Sequence, residues 1–128
     1  MSQKSLAEKM YLREGYRLLL LSAPPGYAAR LSPLPKGASL VRTSAGKADW
    51  IQLFIRSRSE LERGLPVARR RLAPQGLLWV SYAKGGSPLA GDVNRDVLIS
   101  IAPRFGLQPV AQVAVDSDWS AVRLKVVE

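Results

Sequence analysis

Four consecutive leucines, Leu18–Leu21, stand between Gly15 and Pro24. Successive strand residues point to opposite faces, so a short apolar run closed off by turn residues reads as a strand with no wet face. Such a strand belongs inside a sheet covered on both sides, which is the situation of parallel sheets with helices on each face. The run is far too short to span a bilayer.

The rest of the chain supplies those strands and helices. Ser5–Leu12 predicts a short helix with Leu6, Lys9 and Met10 on one face and Gly15 as its stop. The apolar strand covers Tyr16–Ala23, and Pro24-Pro25-Gly26-Tyr27 then makes a rigid turn into a brief helical stretch through Leu31. Pro33, Pro35 and Gly37 end that stretch. Ala38–Thr43 and Asp49–Ile55 are the next strand candidates. Ser57 and Glu60 form a capping box ahead of a helix that runs toward Leu72, with Leu61, Leu65, Ala68 and Leu72 on one side. Gly64 and Pro66 predict a kink or a split in it.

Pro74-Gln75-Gly76 turns the chain into a fourth strand, Leu77–Ala83, and Lys84–Gly91 reads as a Gly/Ser/Pro loop. Asp92 or Asn94 caps a last helix with Val97, Leu98, Ile101 and Phe105 at helical spacing, closed by Gly106. Gln108–Val115 and Ser120–Val127 follow. In the second, Val122, Leu124 and Val126 alternate with Arg123 and Lys125, which predicts an antiparallel hairpin with one wet face.

The sum is one α/β domain over residues 1–128, with residues 1–14 as an N-terminal helical extension. It has three layers and a mostly parallel sheet of about six strands ending in an antiparallel hairpin. Only Ser44–Ala48 separates the second and third strands, whereas a parallel crossover normally takes a dozen or more residues. Ala38–Thr43 is therefore read as a short edge strand with an extended return, an antiparallel pair being the other arrangement.

Composition excludes much chemistry. The chain has no cysteine and no histidine, so disulfides, cysteine- or histidine-ligated metals, thiol nucleophiles and imidazole bases are absent. Nineteen basic against ten acidic residues give a net charge of +9, and thirteen of the nineteen are Arg. Such a surface attracts nucleic acid, anionic lipid and phosphorylated ligands without encoding a site for any of them. Met1–Met10 has no apolar signal core, so a cytoplasmic protein with no membrane span is expected.

The element order resembles the S-adenosylmethionine-dependent methyltransferase fold, a Rossmann-like architecture, over Gly15–Glu128. Asp49–Phe54 looks like that family's fourth strand, which typically opens with Asp. Leu72-Ala73-Pro74-Gln75-Gly76-Leu77-Leu78 resembles the approach to its fifth strand, and the last helix plus hairpin resembles its reversed final strand pair. A closer likeness is to an uncharacterised bacterial family, a domain of unknown function. It is carried by Gly26-Tyr27, Asp49–Phe54, Gly76–Lys84 and Val115–Ser120.

Three departures bear on what the methyltransferase resemblance implies. Those enzymes have a Gly-rich turn after the first strand, where this chain has Ser22-Ala23-Pro24-Pro25-Gly26-Tyr27, with two prolines that donate no amide hydrogen bond. The family's acid for the cofactor ribose, at the end of the second strand, is replaced by Arg42-Thr43. One strand–helix unit is deleted. No S-adenosylmethionine or other cofactor is expected.

In open α/β sheets ligands bind beyond the carboxyl ends of the strands. That rim gathers the candidate ligand-binding residues Gly26, Tyr27, Arg56, Ser57, Lys84 and Gly85. Ser57 begins a helix, where free amides and the dipole favour an anion, and Arg56 and Lys84 add to that preference. The bland alternative has Ser57 capping its own helix, Tyr27 packed on the sheet and Lys84 solvated. Arg69-Arg70-Arg71 reads as a solvated helix end, and Trp119 is the one tryptophan in a turn. The leading reading is a non-catalytic methyltransferase-like domain binding a small anionic ligand or a protein partner. A basic nucleic-acid-binding module and a residual methyltransferase are the alternatives.

Overall fold

The computed structural model describes residues 5–41 and 46–127. The strands are β1 (Arg17–Leu21), β2 (Ser39–Leu40), β3 (Ala48–Ile55), β4 (Leu72–Ala83), β5 (Leu107–Ala114) and β6 (Trp119–Val126). They form one sheet in the order β2-β1-β3-β4-β6-β5. Strands β2, β1, β3 and β4 run parallel, and β6 is antiparallel to both of its neighbours. The helices are α1 (Leu6–Lys9), α2 (Arg58–Arg71) and α3 (Arg95–Ile101), with 3-10 turns at Tyr27–Leu31 and Ala102–Phe105. The α/β architecture, the mostly parallel sheet and the terminal antiparallel pair are as the sequence implies.

The short second strand is parallel to β1, and its register explains how so short a return suffices. Leu40 and Trp50 both pair with Leu18, so β2 ends level with the start of β3. The chain has only to pass β1 sideways rather than travel back along a strand, which removes the usual need for a long crossover. Arg42 and Thr43 lie outside the described residues.

Both sheet faces are covered. One face carries Leu19, Ile51, Leu53, Ile55, Val80 and Val122 against Leu61, Leu65 and Ala68 of α2 and Leu98 and Ile101 of α3. The other carries Leu18, Trp50, Phe54, Trp79 and Ala121 under Met10, Leu12, Tyr27 and Leu31. Each large side chain so buried contributes about 1.5–3 kcal/mol.

Three expectations are corrected. Helix α2 runs unbroken through Pro66. Proline costs it one backbone bond, but Leu61 and Leu65 before it and Ala68 after it are all fully buried, so packing holds both halves on the sheet. Gly64 lets the helix lie close, since a Cβ there would come within 2.9 Å of Leu53 Cδ2.

Second, β4 begins at Leu72, directly after α2, and not at Leu77. The register passes from Ala48↔Leu72 to Trp50↔Leu77, so the Pro74-Gln75-Gly76 turn is a bulge inside a longer strand. Gln75 takes φ 67° at its tip.

Third, the hairpin's wet face is confined to its end. Trp119–Val122 are buried on both faces because Val122 packs in the layer of α2 and α3 while Trp119 and Ala121 pack under Met10, Leu12 and Tyr27, and only Arg123 and Lys125 reach solvent on that second side.

The indole N–H groups of Trp50 and Trp79 both donate to the Met10 carbonyl, at 2.8 and 3.1 Å. Trp79→Phe deletes one buried donor and part of the ring. It should cost roughly 1–3 kcal/mol, read as a lowered urea midpoint, with the segment before Leu12 becoming the first site of proteolysis.

Candidate functional site: two ends of one sheet

The carboxyl-end rim is real in position. Leu21 pairs with Leu53, and Ile55 with Tyr82, so Arg56, Ser57, Lys84 and Gly85 leave adjacent strands, with Gly26 following β1 beside them. What those residues do is largely internal. Ser57 Oγ accepts from Glu60 N at 3.1 Å. Glu60 reaches back one residue further than a capping box requires, accepting from Arg56 N at 2.6 Å. Arg58 N, at the first turn of α2, donates to Asp92 Oδ1 at 2.7 Å. Two carboxylates of the chain itself therefore answer the amides and the dipole of this helix end. Asn94, not Asp92, caps α3.

Gly91 packs so tightly on the carbonyl of Arg56 that a Cβ there would collide with it. The loop from Lys84 is tied down as well. Lys84 N donates to Asp118 O at 2.8 Å, and Ser87 Oγ donates to Asp118 Oδ1 at 2.8 Å.

Tyr27 is 3% exposed, with its ring edge-on to Phe54, which meets Trp119 in the same manner. Trp119, expected in a turn, begins β6 and is buried. Burial pushes the Tyr27 hydroxyl up to about 12, so it stays neutral at any physiological pH. It lies against Gln52, which is fully buried and bonded to Ser81 at 2.8 Å. Gly26 takes φ 79° with open space where a Cβ would stand, so glycine is there for the backbone conformation. Arg30 holds the following turn to Asp116 at 2.7 Å.

A different place concentrates unanswered charge. At the amino end of the sheet, the β4 bulge parts from β6, whose pairing with β4 stops at Leu78↔Leu124. The gap is an open-sided cavity of about 1040 Å³, and Lys47, Arg69, Arg123 and Lys125 line it together with the Ala73–Gly76 bulge. No carboxylate is among the described lining residues. Arg69 also lines an adjoining cavity of about 360 Å³ with Arg70 and with Arg104, which is paired to Glu62 at 3.6 Å. Arg71 turns away and donates from Nε to Gly46 O at 2.5 Å, so the three arginines do diverge.

The sequence marks Arg123 and Lys125 as a polar face and Arg69 as part of a basic run. Nothing in it places Lys47, some 76 residues from Arg123, beside them. Proximity across strands that are distant in sequence leaves no local signal.

Among the described residues no helix is long and apolar enough to cross a membrane. No protein-family model matches the chain, and no curated protein matches it. Solved structures do. The fold is that of the S-adenosylmethionine-dependent methyltransferases.

The chain is similar to a ribosomal protein L11 methylase from Lactobacillus delbrueckii subsp. bulgaricus, with TM-score 0.66 and 11% identity, covering 96% of this chain and 75% of that one. It is similar to DhpI in its complex with SAH, with TM-score 0.67 and 11% identity over 96% and 82% of the two chains. A SAM-dependent methyltransferase from Aquifex aeolicus gives TM-score 0.64 and 13% identity over 94% and 87%. At such identities the likeness shows the fold alone.

Two expectations follow for the rim. Gly91→Ala should lower stability by about 1–3 kcal/mol through the Arg56 carbonyl clash, read from denaturant midpoints. Burial alone would raise the Asp116 carboxyl, but Arg30 and the amides of Asp118 and Trp119 hold it below the usual carboxylate value. A depressed folded value means stability that is full above about pH 4 and lost as pH falls further. Asp116→Asn should cost roughly 1–2 kcal/mol at neutral pH, discounted for the exposed Arg30. Its gap to wild type should close in acid.

Proposed function

We propose that this is a methyltransferase-like domain that binds an anionic ligand without transferring methyl groups, and that the ligand lies in the groove at the amino end of the sheet. One observation carries the reading: four cations, Lys47, Arg69, Arg123 and Lys125, line one open cavity with no described carboxylate among them. Like charges brought together without counter-ions raise the local potential and attract an anion, whereas scattered cations do not.

The absence of methyl transfer is supported at the other end. Pro24 and Pro25 contribute no amide donors to the turn after β1, Tyr27 is packed beneath it, and Arg30 is pinned to Asp116. Membership in the bacterial domain-of-unknown-function family, and a cytoplasmic address, belong to the same proposal.

A second reading keeps a small anion, or a protein partner, at the carboxyl rim on Gly26, Tyr27, Arg56, Ser57, Lys84 and Gly85. It is favoured by the exposure of Arg56 and by the open space around Gly26 and Gly85.

Calorimetry with S-adenosylmethionine should give no binding heat. A one-to-one isotherm at low micromolar affinity overturns the proposal. Tripolyphosphate should raise the melting temperature by mass action. The double variant Arg69→Ala/Lys125→Ala should weaken its binding about tenfold, corresponding to about 1.4 kcal/mol. If Ser57→Ala and Lys84→Ala weaken it while the groove variant does not, the rim is the site.

A further inference from the structure

We propose that the groove takes single-stranded nucleic acid, its phosphates on Lys47, Arg69, Arg123 and Lys125 and a base stacked on Tyr11. This rests on the anionic-ligand reading above and gives it a ligand class. Two observations beyond net charge carry it.

The first is extent. The groove is lined from Lys47, at the start of β3, across the β4 bulge and β6 to Val110 of β5. That spans three strand spacings, about 14 Å. A single phosphate group would meet one or two of these cations, whereas a phosphodiester chain presents a charge at every nucleotide and can meet all of them. The groove is open to solvent along its side, so its occupant is not limited to a group small enough to be enclosed.

The second is Tyr11. Trp79 and Arg123 are register partners on β4 and β6, so their side chains stand next to each other on one face of the sheet. Tyr11 lies across both. Its ring stacks at 23° on Trp79 with centroids 6.4 Å apart, and the Arg123 guanidinium sits 5.3 Å from its centroid. Both neighbours rise from the sheet beneath it, and Tyr11 keeps 43% of its surface exposed.

Its backbone is held at φ 60°, a left-handed conformation that an aromatic residue rarely adopts. Arg123 thus joins the aromatic platform to the groove, and its Nε is shielded from solvent with no hydrogen-bond partner among the described residues. A cationic groove that tracks the backbone beside an aromatic ring for a base is the combination that single-strand binders use.

The test is fluorescence anisotropy with the whole chain and labelled twelve-nucleotide single strands of DNA and RNA, the matching duplex, and vesicles of phosphatidylserine and phosphatidylcholine. Micromolar single-strand binding is expected, tighter than to duplex. With four phosphate contacts, the slope of log K against log salt should be about −3. Tyr11→Leu should weaken single-strand binding roughly tenfold and Tyr11→Phe should restore it. Arg69→Ala/Lys125→Ala should weaken binding and flatten the salt slope, while Lys36→Ala, an exposed charge outside the groove, should change neither.

Equal affinity for duplex, binding to vesicles but not oligonucleotides, or an unaffected Tyr11→Leu variant that keeps the wild-type melting temperature overturns the proposal. If tripolyphosphate binds in the groove and oligonucleotides do not, the nucleic-acid assignment fails and the anionic-ligand reading stands. If neither binds, both fail.

Discussion

Two buried indoles each need an acceptor, and one backbone carbonyl serves both. Trp50 and Trp79 are diagonal neighbours on β3 and β4, and their N–H groups converge on the Met10 oxygen. An unpaired donor at that depth costs about 1–3 kcal/mol, so the segment around Met10 is required by the centre of the sheet. That segment brings Met10, Leu12 and Ala7 onto the second face, where they complete a layer that the 3-10 turn at Tyr27–Leu31 covers only in part. It also fixes Tyr11 at the margin of the groove, one residue from the shared carbonyl.

The distribution of acids explains why the two ends of the sheet differ. Asp49, the residue that resembles the methyltransferase strand opening, accepts from Arg17 N at 2.8 Å and fastens β1 to β3. Glu60 and Asp92 are committed to the α2 start, Asp116 to the β5–β6 turn, Asp118 to Ser87, and Glu62 to Arg58 and Arg104. Ten acids in a chain of net charge +9 are few, and structural duties absorb these near the carboxyl ends of β3 and β4, at the helix flank and at the start of β1. The cations of the amino-end groove are left without them.

Closure of the carboxyl rim is a packing result as much as an electrostatic one. Gly91 seats the Lys84–Asp92 loop on the Arg56 carbonyl, and Asp118 draws the same loop toward β6. Beneath the first turn, Tyr27, Phe54 and Trp119 form an edge-to-face series. In place of a flexible glycine-rich turn that would let a cofactor approach the backbone, the chain has a turn stiffened by proline and anchored by a buried ring.

Much of the fold was written in local pattern. The leucine run, the β-rich Asp49–Ile55, the Ser57 cap and the Gly106 stop each depend on near neighbours, and each appears where the pattern puts it. The errors fall where tertiary contacts outweigh local preference. Pro66 leaves α2 whole because Leu65 and Ala68 are anchored on the sheet, and Pro74–Gly76 bulges because β3 and β4 pair on either side of it.

The candidate site divides in the same way. The rim residues could be named from the rule that ligands gather at strand ends, but the groups that tie down the segments around them, Asp92 on Arg58 N and the Asp118 carbonyl on Lys84 N, come from far along the chain. By itself the sequence determined a doubly covered, mostly parallel sheet with a reversed last pair, because burial period and turn chemistry are local. Only the tertiary structure decided which end of that sheet keeps its charge free. That outcome depends on which acids are taken up by amides, hydroxyls and cations brought near by the fold, and separation in sequence carries no record of it.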